Sequence, residues 1–339
     1  MKNTLKIYCF MLLGISFTAC SQKPETMLNQ NQHITANNIV SEITKQLKQY
    51  PEEKIYGLRF GNGLCYFDMY VNGIKLNKPF NSITGSTAVR LNPVVFKSGT
   101  YKLVYKMYPL GKLEEIYGDE VFTTLLDNTQ LKFDLGSYIQ NKEGFTDVDY
   151  LEYSVPTVEV PVSKTYSDTK FIAHGQTYYE GSFDMEVNVP YEIQPPFENA
   201  QDLRKFDKAE LEAKLLKKYK EVANIYQNKE YDNIARLTYD NLRIALQSLY
   251  ATPEEVAKQW EMLFKAFKES SFEMQPIENY KLEFFYEGKL AALMLTTQDN
   301  TYRGNTALWA KVNYDGGTRP MFLSRYFYIP EGETEFKAY

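Results

Sequence analysis

Glu192-Ile193-Gln194-Pro195-Pro196-Phe197-Glu198-Asn199 separates two kinds of periodicity. Before this stretch apolar residues recur at every second position, and beyond it they recur at helical spacing. The adjacent prolines hold an extended backbone that belongs to neither pattern. The stretch therefore predicts two folding units joined by a linker over residues 194–200. A chain of 339 residues is long enough for both.

Upstream, the signals from Lys54 to Ile193 are those of strands. Tyr66 to Val71 and Ile74 to Leu76 flank Asn72-Gly73, a dipeptide that suits a two-residue hairpin because both positions tolerate positive φ. Tyr101, Leu103, Tyr105 and Met107 alternate with Lys102 and Lys106, which predicts one face in the core and one in water. Further strands are expected over 131–135, 150–155, 158–162, 170–173 and 183–189. Ahead of them, Ile39, Val40, Ile43, Leu47 and Tyr50 read as a short helix stopped by Pro51 and packed on the sheet that follows. Residues 39–193 are thus predicted to be an antiparallel β-sandwich with an N-terminal helix.

Downstream, Asp207 and Glu210 predict a helix start, with Leu211, Leu215, Val222 and Tyr226 along one face. A second helix begins at Tyr231. Thr252-Pro253-Glu254-Glu255 opens a third: Thr252 caps, Pro253 suits the first turn, and the acids favour the helix dipole. Strands return after Ser270 as two hairpins, one turning at Glu287-Gly288 and one at Asp315-Gly316-Gly317. Residues 201–339 are predicted to be an α+β domain. The fold class as a whole reads as mostly β plus α+β.

Composition narrows the functions. Apolar residues at 44% and charged residues at 24% describe a globular chain. The 28 tyrosines suit strand packing, and a sugar-stacking platform is the sharper alternative. A net charge of -5 without any basic block argues against nucleic acid.

The N-terminus carries an address. Lys2 and Lys6 precede an apolar run from Ile7 to Phe17 that is too short to span a bilayer, followed by small residues. That is a secretory signal over residues 1–19. Phe17-Thr18-Ala19-Cys20 resembles the lipobox of bacterial lipoproteins, with Phe17 where the family usually has Leu. The resemblance implies that Cys20 is diacylated and anchors the chain to the cell envelope, with the outer membrane expected and the side open. Residues 20–38, rich in Gln, Asn, Thr and Ser, then read as a lipidated tether. Cys9 leaves with the signal, so Cys65 is the remaining thiol; in Gly63-Leu64-Cys65-Tyr66-Phe67 it reads as structural.

Tyr226-Gln227-Asn228-Lys229-Glu230-Tyr231-Asp232-Asn233-Ile234-Ala235-Arg236-Leu237 resembles the first helical hairpin of the NTF2-like superfamily, and the helix order and closing hairpins resemble it too. The resemblance implies a cone-shaped pocket between sheet and helices, used by some members for catalysis and by many for protein binding.

Few motifs for chemistry are present. No histidine follows His174, and the sequence lacks Gly-x-Ser-x-Gly, His-Glu-x-x-His and a phosphate-binding glycine loop. Asp147 and Asp149 read as a solvated turn and His174 as a loop histidine. No cofactor or metal is expected. The residues singled out lie between Tyr302 and Arg325: Tyr302 and Arg303 in one turn, Arg319 in another, Trp309 on the strand between them, and Arg325 further on. They read either as solvated charges around a core Trp or as an Arg-plus-aromatic patch of the kind enriched at binding hot spots. Glu331, Glu333 and Glu335 are solvated in the first reading and pair with those arginines in the second. The expectation is a non-catalytic envelope lipoprotein that binds a protein partner, by analogy of layout an immunity-type protein against a secreted toxin. Glycan capture at the cell surface is the second reading. A hydrolase or isomerase using Asp, Glu or Tyr in the C-terminal pocket is the third.

Overall fold

The computed structural model of the protein describes residues 28–76, 84–140, 150–314 and 316–339. Every strand pairing among them is antiparallel. After helix α1 (Ile39–Thr44) come β1 (Lys54–Gly63), β2 (Tyr66–Val71), β3 (Ile74–Lys75), β4 (Thr84–Arg90) and β5 (Gly99–Tyr108). A small excursion follows, with β6 (Gly111–Lys112), α2 (Glu114–Tyr117) and β7 (Val121–Phe122). Then come β8 (Gln130–Ile139), β9 (Tyr150–Ser154), the hairpin β10 (Thr157–Pro161) and β11 (Ser167–Phe171), and β12 (Tyr179–Val187). One four-stranded sheet has the order β4-β1-β8-β9 and the other β12-β5-β2-β3.

The two sheets share one core. Phe60 and Phe133 come from the first, Phe67 and Tyr105 from the second, and their rings meet at 5.3 Å (Phe60–Phe67), 6.0 Å (Phe67–Phe133) and 5.5 Å (Tyr105–Phe133) between centroids. The β2–β3 hairpin turns on Asn72 (φ 52°) and Gly73 (φ 71°), as the dipeptide predicts.

The second half supplies α3 (Lys208–Gln227), α4 (Tyr231–Ser248) and α5 (Pro253–Lys268). The Asp207 side chain caps α3 at the Glu210 N–H, and Thr252 with Glu255 forms a full capping box on α5. The strands β13 (Glu273–Met274), β14 (Tyr280–Phe285), β15 (Leu290–Leu295), β16 (Trp309–Tyr314), β17 (Gly317–Phe322), β18 (Phe327–Tyr328) and β19 (Lys337–Ala338) make two sheets, β13-β16-β17 and β14-β15-β18-β19. Leu290 to Met294 is apolar at every position because its strand is covered on both faces. Ala291 and Leu293 pack with Leu215, Tyr219 and Val222 of α3, while Leu290, Ala292 and Met294 join the core of the first half. The chain is a β-rich α+β protein whose two halves meet across an apolar seam.

Three sequence expectations are corrected by this packing. Helix α1 does not lie on the following sheet; Ile39 and Ile43 pack with Ala235, Tyr239, Val256 and Trp260 of α4 and α5. The described part of the tether is also docked. Leu28 and Ile34 are buried, the Asn31 amide donates to Asp240 (2.7 Å), and the Trp260 indole N–H donates to the Ala36 carbonyl (3.2 Å). Its polar composition hid two apolar anchors at wide spacing. The proline-containing linker is not solvated either. Tyr191, Ile193, Pro195 and Phe197 face inward while Glu192 and Gln194 face out, so the prolines fix an extended strap with one buried edge. The Phe197 ring sits edge-on to Tyr286 (4.9 Å) and Tyr339 (4.7 Å).

Candidate functional site: a cationic cleft between the two halves

The alternation of β2 and β5 puts Phe67, Met69, Tyr105 and Met107 into the sandwich core. It must then put Tyr66, Asp68, Tyr70, Lys106 and Tyr108 on the outer face, where Asp68 pairs in register with Lys106 and Tyr66 with Tyr108. The sequence predicted water there. Instead the β14–β15 sheet faces it, and Tyr70 stacks on Phe285 at 6.4 Å. The tip of the β2–β3 hairpin is fixed to the same sheet, because the Gly73 carbonyl accepts the Tyr286 N–H (3.0 Å). Where the two faces diverge they leave a cleft of about 430 Å³.

Its closed end is built from charges taken out of water. The Lys75 ammonium lies 2.8 Å from the Asp68 carboxylate, with both side chains buried, and donates to the Gly304 carbonyl (2.6 Å). The Tyr108 hydroxyl donates to the other Asp68 oxygen at 3.4 Å. The loop between β15 and β16 closes over this end. Arg303 sets its guanidinium carbon 5.3 Å from the Tyr66 centroid and 5.0 Å from the Tyr108 centroid, a double cation–π contact. Asn300 donates to the Tyr66 hydroxyl at 2.7 Å. Burial pulls the Arg303 guanidinium below its usual value, with Tyr108, Asp68 and Tyr66 opposing. Burial likewise pushes the Tyr70 and Tyr108 phenols up, so both stay neutral.

The open end is lined by a lysine from each wall. Lys106 of β5 lies over the Tyr70 ring at 4.8 Å and 3.9 Å from Glu180. Lys281 of β14 lies 2.9 Å from Glu283. Among the described residues the lining holds four cations, Lys75, Lys106, Lys281 and Arg303, against two carboxylates, Asp68 and Glu283. A positive cleft in a chain of net charge -5 favours an anionic group.

The five residues singled out from sequence separate into three places. Tyr302, Trp309 and Phe322 form a ring cluster beside the cleft, with 5.0 Å between Tyr302 and Trp309, and Arg303 enters the cleft itself. Arg319 does not join them. Trp309 pairs with Phe322 and Arg319 with Val312, three positions along, so the pleat puts Trp309 and Arg319 on opposite faces. Arg325 turns to the helix layer and donates to the Tyr226 hydroxyl (3.1 Å) and Thr238 (3.0 Å). Two acids of the tail pair with lysines and not with these arginines: Glu333 with Lys337 (2.6 Å) and Glu335 with Lys214 (3.0 Å).

Sequence reasoning missed Asp68, Lys75, Lys106 and Lys281. One signal was available: Asp68 is the lone charge between Cys65 and Ile74, and an acid in a continuously apolar strand needs a partner. The space between sheet and helices, where the NTF2-like resemblance implies a pocket, is packed with side chains. Tyr219 is fully buried there, its hydroxyl accepts the Leu293 N–H (2.9 Å), and its ring meets Phe327 at 4.9 Å.

Cys65 is buried, as expected of a structural thiol. The His174 ring nitrogen Nδ1 is 2.7 Å from the Phe171 carbonyl. Among the described residues no three His, Cys, Asp or Glu side chains gather into a metal-holding group, and no helix is long and apolar enough to cross a membrane. Cys20, Asp147, Asp149 and Asp315 lie outside the described residues. The chain matches no family model, no curated protein and no solved structure.

Proposed function

We propose that this chain is a lipid-anchored protein of the bacterial cell envelope that binds a protein partner through acidic groups received in the cleft between its halves. The observation that carries the reading is the charge of the cleft: cations from both halves converge there in an otherwise acidic protein. Cys20 supplies the anchor, on its lipobox-like context. The second half is read as NTF2-like on its helix order and the antiparallel strands that follow, with the ligand taken on the far side of the sheet from the helices.

Two details favour a protein over a glycan or a substrate. A sugar needs an open aromatic face, and the Tyr66, Tyr70 and Tyr108 rings are covered by Arg303 and Lys106. An isomerase or hydrolase of the NTF2-like kind needs space between sheet and helices, and Tyr219, Tyr226 and Phe327 fill it.

The test is affinity capture from an envelope extract with the wild-type chain and with the Lys106→Glu, Lys281→Glu double variant. Partners held by the wild type and released by the variant support the reading; equal recovery on both removes the cleft from it. Membrane fractionation of wild type and Cys20→Ala tests the anchor, and equal membrane retention of the two rules it out.

A further inference from the structure

We infer that the cleft seats one compact anion, carrying at least two negative charges on carboxylate or phosphate groups, between Lys106 on the sandwich wall and Lys281 on the meander wall, so that the ligand bridges the two halves. This rests on the reading of the cleft as a binding site and adds the chemistry and geometry of what enters it.

The argument starts from which charges are already committed. Lys75 and Asp68 neutralise each other inside the seam and leave no role for either in ligand capture. Among the described residues the rest of the lining carries Lys106, Lys281 and Arg303, with Glu283 as its carboxylate. The two lysines stand on opposed sheets that face each other across about 430 Å³, room for a small ligand or for one or two acidic side chains. Each lysine also has an acid on its own sheet, Glu180 or Glu283, and each pair has one exposed and one half-buried member. Pairs open to solvent through one member are weakened by water and salt, so they yield to an anion that reaches both ammonium groups at once. Lys106 keeps its position in the exchange because the Tyr70 ring supports it from below. Arg303 is fixed between two rings at the closed end and adds positive potential without having to move. A singly charged group can satisfy one wall; a group with two or more charges can satisfy both.

The experiment titrates the full chain with citrate, inorganic phosphate and acetate at ionic strength matched with chloride, by calorimetry and by hydrogen exchange. The bridge predicts saturable one-to-one binding of citrate and of phosphate, and none of acetate. Lys106→Ala and Lys281→Ala should each weaken citrate by roughly ten-fold or more, as loss of a charged hydrogen bond does. Lys102→Ala, on the same strand as Lys106 but outside the cleft, should not. Citrate should slow exchange in both β5 and β14. Protection confined to one strand, a response no greater than that to chloride, or unchanged binding in both lysine variants would overturn the bridge.

The probes also separate the source of the anion from the reading beneath it. Free citrate or phosphate saturating the wild type while partner capture ignores the charge reversal supports the bridge and removes the protein partner from the cleft. Partner capture lost on charge reversal with no saturable citrate or phosphate binding overturns the bridge and keeps the partner.

Discussion

The Lys75 ammonium and the Asp68 carboxylate meet at 2.8 Å inside the seam between the halves, and Lys75 also holds the Gly304 carbonyl. One side chain thus ties the sandwich hairpin to the loop that closes the cleft. Removing either member leaves a charge buried without its partner, at a cost of about 3–5 kcal/mol. Urea unfolding of Lys75→Ala and Asp68→Ala should each show this loss, and the double variant should lose less than the sum. Additive losses would mean that the pair does not act as a unit.

The strap at Phe197 should behave as core. Phe197→Ala removes a fully buried ring packed on Tyr286 and Tyr339 and should cost about 3–5 kcal/mol. Because the core is continuous across the seam, thermal unfolding of the wild type should be one transition, with little protease cleavage between residues 193 and 200 in the native state. Two separated transitions, or early cutting at the strap, would mean that the halves fold independently.

Gly181 faces a space that is already taken. A Cβ there would overlap the Tyr105 hydroxyl and ring, which sit beneath it and share a 2.9 Å hydrogen bond with the Tyr153 hydroxyl. Gly181→Ala should cost about 1–3 kcal/mol by overpacking. In the Tyr105→Ala background the same change should cost much less, and denaturation of the four proteins of this cycle measures the difference.

Local structure was legible in the sequence; coverage was not. Asn72-Gly73, the inward face from Tyr101 to Met107 and the Thr252 cap each depend on neighbours in sequence, and each forms as read. The outer face of β5 shows what periodicity omits. An alternating strand has a second face, and Lys102 and Lys106 mark it as polar whether it meets water or a cationic cleft. The strap fails for a similar reason, since Pro195-Pro196 specifies extended backbone and is silent on what packs against it. The candidate site was half legible. Arg303 and Trp309 stood out by type, but separating Arg319 from them needed the register of β16 and β17.

Alkaline pH offers a further check on the buried tyrosines. Burial raises the Tyr219 phenol to about 12, against the smaller opposing effects of Thr306 and the Leu293 backbone. Tyr70, Tyr326 and Tyr339 are shifted the same way, with burial the first cause for each. The folded state therefore holds these groups neutral, while the unfolded chain ionises near the ordinary value of about 10. Their stabilisation is complete below about pH 10 and declines as pH rises from there through 12 and beyond. Denaturant midpoints should be flat from neutrality to about pH 9.5 and then fall, with phenolate absorbance from the buried group appearing together with unfolding. Full tyrosine ionisation at about pH 10.5 in a chain that is still folded would contradict the burial described here.

The most direct test of the cleft is calorimetric titration of the captured partner against wild type, Lys106→Ala, Lys281→Ala and Arg319→Ala. If the cleft receives the partner's acidic groups, each lysine variant should lose about 1.5–3 kcal/mol of binding, roughly ten-fold or more in affinity. Arg319→Ala, exposed on the opposite face of its sheet from Trp309, should match wild type. Wild-type affinity in both lysine variants, or a loss confined to Arg319→Ala, would contradict the account and move the binding surface away from the seam.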